Sequence, residues 1–375
     1  MKNASLNFFN LLKEGLEAQG YERQSAADAC VFIGKTSIVL VYVDDCVIFQ
    51  QKGATDADEL IRKLQEGEQK FIFTDDGDLE TYLGVDVKRK KDGLIELSQP
   101  HLISRILTLL NITDEVNSKP TPVVKPLLCK DLEELQRKCS WNYRQAVGML
   151  TYLQGTSRPD ILMAVHQTAR FSVQPMLSHE RSIMRIGKYL HGTKDKGLIL
   201  RPNESLGLEY FVDADFAGGW NKNEGNSADS VMSRTGYVIM YAGCPVIWCS
   251  KLQTEVALLT TEAKYIALSQ SLREVIPIMQ LLKDINEVFP LKMPTPEVHC
   301  KTWEDNNGCI ALANGQKFSP RNKHIAIKYH HFREHVRNGS ISIHPIDTKE
   351  QTADIFTKPL DENLFKYLRL KLNGW

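Results

Sequence analysis

The clearest pattern of apolar and polar positions lies near the N-terminus, where two apolar runs flank a pair of acidic residues. Residues 38–43 and 46–49 are mostly β-branched or aromatic, and Asp44 and Asp45 stand between them. Short runs of this composition are typical of buried strands. The pattern predicts two strands that turn at the aspartates, and it makes this hairpin a candidate for a functional site.

Elsewhere, apolar residues recur at the spacing of amphipathic helices. In residues 5–20, Phe8, Leu11 and Leu16 fall on one face. Helices are also predicted at 56–68, at 101–110, over 131–195 with a break near 158–159, and from 260 towards 282, with a short sheet at 70–98. Pro277 lies inside the last of these helices and predicts a kink or a break, because proline removes a backbone donor.

After residue 204 the pattern changes to short strands with acidic residues at their ends. The predicted strands are residues 208–212, 235–241, 246–250 and 297–303. Asp213 follows the first of these strands, and Asp305 follows the last. Residues 348–351 read as a capping box, which predicts a helix that carries Asp354 near its first turn.

Length and composition restrict the class of protein. The 375 residues are enough for two or three domains, and a proline-rich segment at 118–126 and a polar segment at 201–204 predict linkers. The formal net charge is zero, so a nucleic-acid interface would have to be a local basic patch. The eight cysteines form no C-x-x-C pair, and no apolar stretch approaches the length of a membrane span. These features favour a reduced intracellular chain and argue against a secreted or membrane-spanning one.

The acidic residues suggest metal chemistry. Asp44 and Asp45 repel each other, and a divalent cation would remove that repulsion. The alternative is a solvated hairpin tip where the two acids are adjacent by chance. Acids at strand ends and helix starts, such as Asp213, Asp305 and Asp354, favour a converging site, because two Mg²⁺ ions about 4 Å apart clamp a phosphodiester displacement. For any one of them, a helix cap or a surface charge is the alternative.

Several segments resemble a known family. Residues 42–45, Tyr-Val-Asp-Asp, resemble the palm-domain signature of reverse transcriptases, and residues 73–85 resemble the segment that supports the primer end. Residues 143–153 and 156–161 follow in the same order as in that family. The succession of motifs resembles the Pol polyprotein of copia-type LTR retrotransposons over nearly the whole chain.

The resemblance implies an α/β chain whose N-terminal half is α+β. It implies a partial reverse transcriptase palm over residues 1–110 and a mostly helical thumb or connection over 111–203. Residues 204–375 would form a ribonuclease H-like domain, a mixed five-stranded sheet with flanking helices. The implied chemistry is RNA-directed DNA polymerase and ribonuclease H activity, with two Mg²⁺ or Mn²⁺ ions per intact site. The implied partners are an RNA template with a DNA primer, RNA–DNA hybrid and a larger Pol polyprotein, in a cytoplasmic particle or the nucleus and without a membrane.

The resemblance also assigns roles to individual residues. The residues that match catalytic, metal-binding carboxylates are Asp44 and Asp45 in the palm and Asp213, Asp305 and Asp354 in the nuclease domain. His344 stands near the position of a proton-handling histidine. A basic run over residues 321–337 would receive the phosphates of the hybrid. The residues singled out in that run are Lys323, His324, Lys328, His330 and Arg333.

The fourth carboxylate of the nuclease pattern is replaced. The family reads Thr-Thr-Glu-Ala-Glu-Tyr, and its second Glu is the ligand, whereas this chain has Lys264 at that position. A charged lysine cannot ligate Mg²⁺, and its ammonium would oppose the ions. Glu262 lies two residues away and faces about 200° around the helix, so it is not expected to substitute. Nuclease activity is therefore predicted to be impaired.

The polymerase half is also predicted to be incomplete. Met1 follows the region in which the family places a third catalytic aspartate, so we expect no polymerisation by this chain alone. Two other interpretations stay open. One is a non-enzymatic protein that binds hybrid through its basic face, which Lys264 favours; the other is an open reading frame with no selected role.

Overall fold

The chain forms two compact units. The structure, a computed structural model, describes residues 4–21, 27–67, 70–130, 135–220, 228–291, 293–295, 297–315 and 331–375. One unit comprises Met1–Leu79 and Glu274–Val298, and the other comprises Glu80–Arg273 and His299–Trp375. Each unit is therefore built from two separate stretches of the chain.

The first unit contains a three-stranded antiparallel sheet and two helices. Its elements are α1 (Ala4–Ala18), β1 (Val31–Ile33), β2 (Ser37–Tyr42), β3 (Asp45–Gln50) and α2 (Asp56–Glu66), with strand order β1-β2-β3. Val39 and Val41 of the central strand are buried in a core with Leu16 of α1 and Leu60 of α2. Both predicted helices are confirmed, because one apolar face of each contributes to this core.

The predicted hairpin around the two aspartates is confirmed in its backbone. Tyr42 pairs with Asp45, so Val43 and Asp44 alone form the turn. Val43 has a φ of 57°. A positive φ at the first turn residue matches a two-residue hairpin turn, but it is costly for a β-branched side chain. The turn leaves both carboxylates exposed.

The second unit begins with a four-stranded antiparallel sheet and a group of helices. Its first elements are β4 (Thr81–Tyr82), β5 (Val85–Arg89), β6 (Ile95–Ser98), α3 (Pro100–Leu109), α4 (Tyr143–Thr156), a 3-10 helix (Pro159–Ile161), α5 (Leu162–Ala169), α6 (Leu177–His191) and β7 (Leu198–Leu200). The strand order is β4-β5-β6-β7. Ile106, Leu150 and Ile186, from α3, α4 and α6, are fully buried and join these helices in one core.

A mixed five-stranded sheet completes the second unit. Its elements are β8 (Leu208–Asp215), α7 (Ala228–Val231), β9 (Arg234–Tyr241), β10 (Cys244–Leu252), α8 (Thr260–Val288, which runs on into the first unit), β11 (Cys300–Glu304), α9 (Asn307–Asn314), α10 (Arg333–Arg337), β12 (Ile341–Pro345), 3-10 helices at Thr348–Glu350 and Thr352–Phe356, and α11 (Glu362–Asn373). The strand order is β10-β9-β8-β11-β12. Strands β10, β9 and β8 are antiparallel, whereas β8, β11 and β12 are parallel. The predicted fold class is thereby confirmed.

A buried polar network connects the segment between α4 and α5 to the C-terminal helix. Arg158 is 0% exposed and donates two hydrogen bonds to Asp160, at 2.9 and 2.8 Å. Tyr189 of α6 donates to Asp160 at 2.5 Å, and Asn373 of α11 donates to it at 3.0 Å. The Trp375 ring centroid lies 5.2 Å from the Arg158 guanidinium carbon. Asn373 and the ring of Trp375 thus contact this buried network.

Two of the predicted helices differ from the structure. Residues 135–142 are not helical, and α4 begins only at Tyr143, where the Asn142 side chain caps it. Helix α8 continues through Pro277, so of the two predicted outcomes the break is wrong and the kink stays a prediction. Val275 and Met279 are buried on either side of the proline, and their burial offsets a cost of about 3 kcal/mol.

The predicted domain boundaries at residues 110 and 203 stay predictions. The two compact units divide the chain at other places, since residues 80–110 belong to the same unit as the five-stranded sheet. Among the residues that the structure describes, no helix is long and apolar enough to cross a bilayer.

Candidate metal centre

Three of the predicted acidic residues meet at one edge of the five-stranded sheet. Asp213 lies near the end of β8, and Asp305 directly follows β11, its parallel neighbour. Parallel strands end at the same edge of a sheet, which brings these two side chains together. Asp354 joins them, and the three residues present carboxylate oxygens that all lie within 4.8 Å of one another. The sheet topology therefore explains how acids far apart in sequence form one cluster.

Asp354 reaches the cluster through a short turn. It lies in the 3-10 helix Thr352–Phe356, and the α-helix predicted to start at residue 348 does not form. Gln351 caps this turn, accepting a hydrogen bond from Ala353 N at 3.3 Å. The same side chain donates to the carbonyl oxygens of Val212 at 3.0 Å and Trp303 at 3.2 Å. Gln351 thereby fixes the turn against both β8 and β11.

Lys264 lies inside the acidic cluster. Its Nζ contacts Asp213 Oδ1 and lies 2.6 Å from Asp305 Oδ1. Glu304 Oε1 is 3.8 Å away, and only 9% of the Lys264 side chain is exposed. The ammonium thus bridges two of the three carboxylates, at the position where the sequence resemblance implies a glutamate.

A second lysine and a threonine, which the sequence reasoning missed, complete the cluster. Lys358 Nζ lies 2.8 Å from Asp354 Oδ2 and 3.9 Å from Asp213 Oδ2. Thr357 Oγ1 donates to Asp213 Oδ2 at 2.5 Å. The available signal was the spacing, because a lysine four residues after an aspartate lies on the same side of a helical turn.

Burial and the two ammonium groups shift the pKa values in this cluster. Burial raises the pKa of Asp213, but Lys264 and Lys358 outweigh it and hold that pKa below its usual range. Burial raises the pKa of Glu304 to about 8, and burial together with Asp213 raises the pKa of Asp354 to about 8. Burial lowers the pKa of Lys264, but the carboxylates of Asp213 and Glu304 raise it by more. Near neutral pH the cluster is therefore close to charge balance with protein groups alone.

The residues present do not fit a pair of divalent ions. Carboxylate oxygens alone would suit Mg²⁺, which prefers hard oxygen ligands. An ion shared by Asp213 and Asp305, however, would meet the Lys264 ammonium that already contacts both. An ammonium has no lone pair to offer, and two unit charges of the same sign 4 Å apart repel by about 4 kcal/mol near a protein surface, with a larger penalty for a divalent ion.

Two other predicted residues lie outside the cluster. Glu262 accepts a hydrogen bond from the backbone of Leu258 at 2.8 Å, so it serves the start of α8 and does not replace the missing ligand. His344 is held in β12, with Nε2 2.7 Å from Ser342 Oγ and its ring beside that of Trp303. The position of Glu262 agrees with the prediction that it does not substitute for the replaced ligand. The role of His344 as a proton-handling residue stays a prediction.

Asp44 and Asp45 lie side by side at the hairpin turn and are not members of the acidic cluster of Asp213, Asp305 and Asp354. Both side chains are exposed at the hairpin turn of the first unit. Within the part of the chain that the structure covers, no third histidine, cysteine or acidic side chain joins them in a cluster. Their assignment as metal ligands stays a prediction.

The predicted basic face falls largely outside the described residues. Four of its five predicted residues fall between the described ranges 297–315 and 331–375: Lys323, His324, Lys328 and His330. Arg333 begins α10 and is only 5% exposed, with its guanidinium 3.5 Å from the carbonyl oxygen of Leu312. This burial counts against direct contact between Arg333 and a phosphate.

The structure presents a hairpin with adjacent aspartates and a mixed five-stranded sheet with acids at its strand ends. Residues 1–125 match the family described as reverse transcriptase (RNA-dependent DNA polymerase). The chain belongs to the family of Pol polyproteins from copia-type retrotransposons.

Individual relatives give the extent of the match. The retrovirus-related Pol polyprotein from transposon RE1 of Arabidopsis thaliana is 33% identical over 356 residues, which cover 93% of this chain and 22% of that protein. The Pol polyprotein from transposon TNT 1-94 of Nicotiana tabacum is 31% identical, covering 98% of this chain and 27% of that one. This chain thus spans about a quarter of the length of these relatives. Among solved structures, LC11 ribonuclease H1 isolated from compost is 19% identical and covers 43% of this chain and 98% of its own, with a TM-score of 0.29.

Proposed function

We propose that this chain is a reverse transcriptase/ribonuclease H segment of a retrotransposon Pol polyprotein that binds RNA–DNA hybrid without cleaving it. The observation that carries this proposal is the position of Lys264, whose ammonium contacts both Asp213 and Asp305. An intact site of this family would use two divalent ions to activate water and stabilise the leaving oxygen. Here the place between those carboxylates is taken by a protein cation.

Charge supports hybrid binding by the same surface. An acidic cluster without cations would repel a phosphodiester backbone, but Lys264 and Lys358 supply two positive charges to it. A phosphate approaching this edge of the sheet would therefore meet Lys358, whose side chain is 37% exposed, and not an uncompensated acidic cluster. The proposed binding does not require Mg²⁺, and it should weaken with salt as other phosphate contacts do.

The test is cleavage of a labelled RNA–DNA hybrid in Mg²⁺ or Mn²⁺. We expect no cleavage by the parent chain and metal-dependent cleavage by Lys264→Glu, which restores the fourth carboxylate. Lys283→Glu, at an exposed position on the same helix, is the matched control and should stay inactive. Adding Asp213→Asn to Lys264→Glu should abolish the new activity, which excludes a contaminating nuclease.

Hybrid binding is measured separately, by fluorescence anisotropy in EDTA and in Mg²⁺. We expect the parent chain to bind hybrid with the same affinity in both. Cleavage by the parent chain would overturn the proposal, and so would a parent chain that binds hybrid only with Mg²⁺. A folded Lys264→Glu variant that binds hybrid but does not cleave it would show that Lys264 is not what blocks the reaction.

A larger Pol polyprotein is the proposed context. The relatives are about four times as long as this segment, so most of their sequence has no counterpart here. In that context, the hairpin with Asp44 and Asp45 would contribute two ligands to a polymerase palm. Primer extension on an RNA template tests this part, and we expect no synthesis by the chain alone.

A further inference from the structure

A second group of metal-ligating side chains lies away from the acidic cluster, where β11 and β12 run side by side. Ser342 Oγ is 2.7 Å from His299 Nε2 and 2.7 Å from His344 Nε2. His299 directly precedes β11, and both Ser342 and His344 belong to β12. Because the two nitrogens bond the same oxygen, no more than twice that distance separates them.

A backbone carbonyl fixes the tautomer of His299. Its Nδ1 lies 2.9 Å from the carbonyl oxygen of Gly339, which can only accept a hydrogen bond. Nδ1 therefore carries the hydrogen, and in the neutral ring the lone pair is on Nε2, directed towards Ser342. A hydrogen bond from the other ring nitrogen to a carbonyl is how proteins orient metal-ligating histidines.

We propose that His299 and His344 form a binding site for a divalent transition-metal ion, with Zn²⁺ as the probe. Zinc binds imidazole nitrogen at about 2.0–2.1 Å, so modest side-chain rotations would place one ion between the two rings. The Ser342 hydroxyl or water supplies the remaining positions. Imidazole ligands suit zinc, copper and nickel, whereas Mg²⁺ prefers oxygen.

The neighbouring residues are compatible with a cation. Lys301, the β11 partner of Ser342, is a positive charge in the sheet register, and its Nζ lies 5.5 Å from the Trp303 ring centroid. On its other side, Lys301 pairs in register with Glu209 of β8, whose Oε1 accepts a hydrogen bond from Trp303 Nε1 at 3.0 Å. Both histidines are partly exposed, so an ion has access to the site. No residue is shared with the acidic cluster, so this inference is independent of the proposed function.

The first experiment is isothermal titration of the full chain with ZnCl₂. We expect His299→Ala and His344→Ala each to weaken the site by at least about tenfold, the low end of what the loss of a supporting partner causes. His101→Ala, at an exposed position on α3, is the control and should leave binding unchanged. Zinc held by cysteines or by other histidines would survive both substitutions, and that result would overturn the proposal.

The second experiment tests for a gain in zinc affinity, which a misfolded variant would not show. Ser342→Cys places a thiolate between the two imidazoles, and we expect zinc affinity to rise by at least about tenfold, since thiolate is a strong zinc ligand. Ser342→Ala removes only a weak ligand and should change affinity by less than about threefold. If Ser342→Cys binds zinc no more tightly than the parent chain, the two nitrogens do not converge on that position and the proposal fails.

Discussion

Replacing Arg158 by methionine should strongly destabilise the second unit. The Arg158 side chain is fully buried and forms a two-point ion pair with Asp160. It also donates to Thr193, at 3.1 Å to the carbonyl oxygen and 2.8 Å to the hydroxyl. Methionine keeps most of the apolar volume but removes every one of these donors. Among the described residues, Asp160 would then keep hydrogen bonds from Tyr189 and Asn373, and the remaining positive charge acting on it would be Arg369, which donates to the Tyr189 hydroxyl at 3.2 Å.

The expected cost follows from the charge that is left behind. Breaking a buried ion pair by removing one partner typically costs about 3–5 kcal/mol, because the other charge stays in the interior without compensation. Adding Asp160→Asn to Arg158→Met removes that charge and keeps an amide oxygen as acceptor. We therefore expect the double variant to regain about 1–3 kcal/mol relative to Arg158→Met alone.

Urea unfolding followed by tryptophan fluorescence measures these free energies. The five tryptophans are Trp141, Trp220, Trp248, Trp303 and Trp375, all in the second unit. Arg105→Met, at an exposed position on α3, is the control and should stay within about 0.5 kcal/mol of the parent. A loss below about 1 kcal/mol for Arg158→Met, or a double variant less stable than the single one, would refute the argument from an uncompensated charge.

Further predictions concern packing and titration. A Cβ on Gly236 would lie 2.6 Å from Thr357 Cγ2 and 2.8 Å from Phe356 Cβ, so Gly236→Ala should lower the unfolding free energy by about 1–3 kcal/mol. Gly148 lies in helix α4, and a Cβ added there would have no neighbouring atom within 4 Å. Gly148→Ala should therefore raise the unfolding free energy by about 0.5–1 kcal/mol in the same urea assay. Burial lowers the pKa of His166 from 6.5 to about 4, so between these pH values the unfolded chain binds more protons than the folded one. The contribution of His166 to stability should therefore fall as the pH falls from 6.5 to 4, opposite to the contributions of Glu304 and Asp354, whose raised pKa values favour the folded state at lower pH. The difference in unfolding free energy between the parent and His166→Gln should shift in favour of His166→Gln as the pH falls, and a difference that does not change with pH would contradict the prediction.

The features that sequence predicted best are those determined by local pattern. The hairpin at Asp44 and Asp45 follows from two apolar runs of strand length, and the helices of the first unit follow from their apolar faces. Pairing between distant segments has no local signal. Strand β7 pairs with β6, far earlier in the chain, and only the folded chain shows that partner.

The acidic cluster illustrates the same division. Family motifs were enough to select Asp213, Asp305 and Asp354, which the structure brings together. They also placed Lys264 at the position of the fourth ligand, but they could not show which carboxylates its ammonium contacts, because a helix position defines a direction but not the partners that meet it. They also gave no role to Lys358, whose contact with Asp354 depends on the 3-10 turn that replaced the predicted α-helix.

The position of Lys264 leads to a final prediction about divalent ions and stability. Two unit charges of the same sign 4.8 Å apart repel by roughly 3–4 kcal/mol at an effective dielectric constant of about 20. Asp354, whose pKa is raised to about 8, adds little negative charge near neutral pH, whereas Asp213 and Asp305 lie within that distance of each other, so this pair needs a cation to persist. In the parent chain Lys264 and Lys358 supply it, so its melting temperature should be the same in EDTA and in millimolar Mg²⁺. Lys264→Met removes one of these cations and should lower stability by about 3–5 kcal/mol in EDTA. Mg²⁺ should restore part of that loss, because an ion that binds only the folded state stabilises it by mass action. A parent chain that Mg²⁺ stabilises, or a Lys264→Met variant as stable as the parent in EDTA, would show that the ammonium does not take the place of a metal ion.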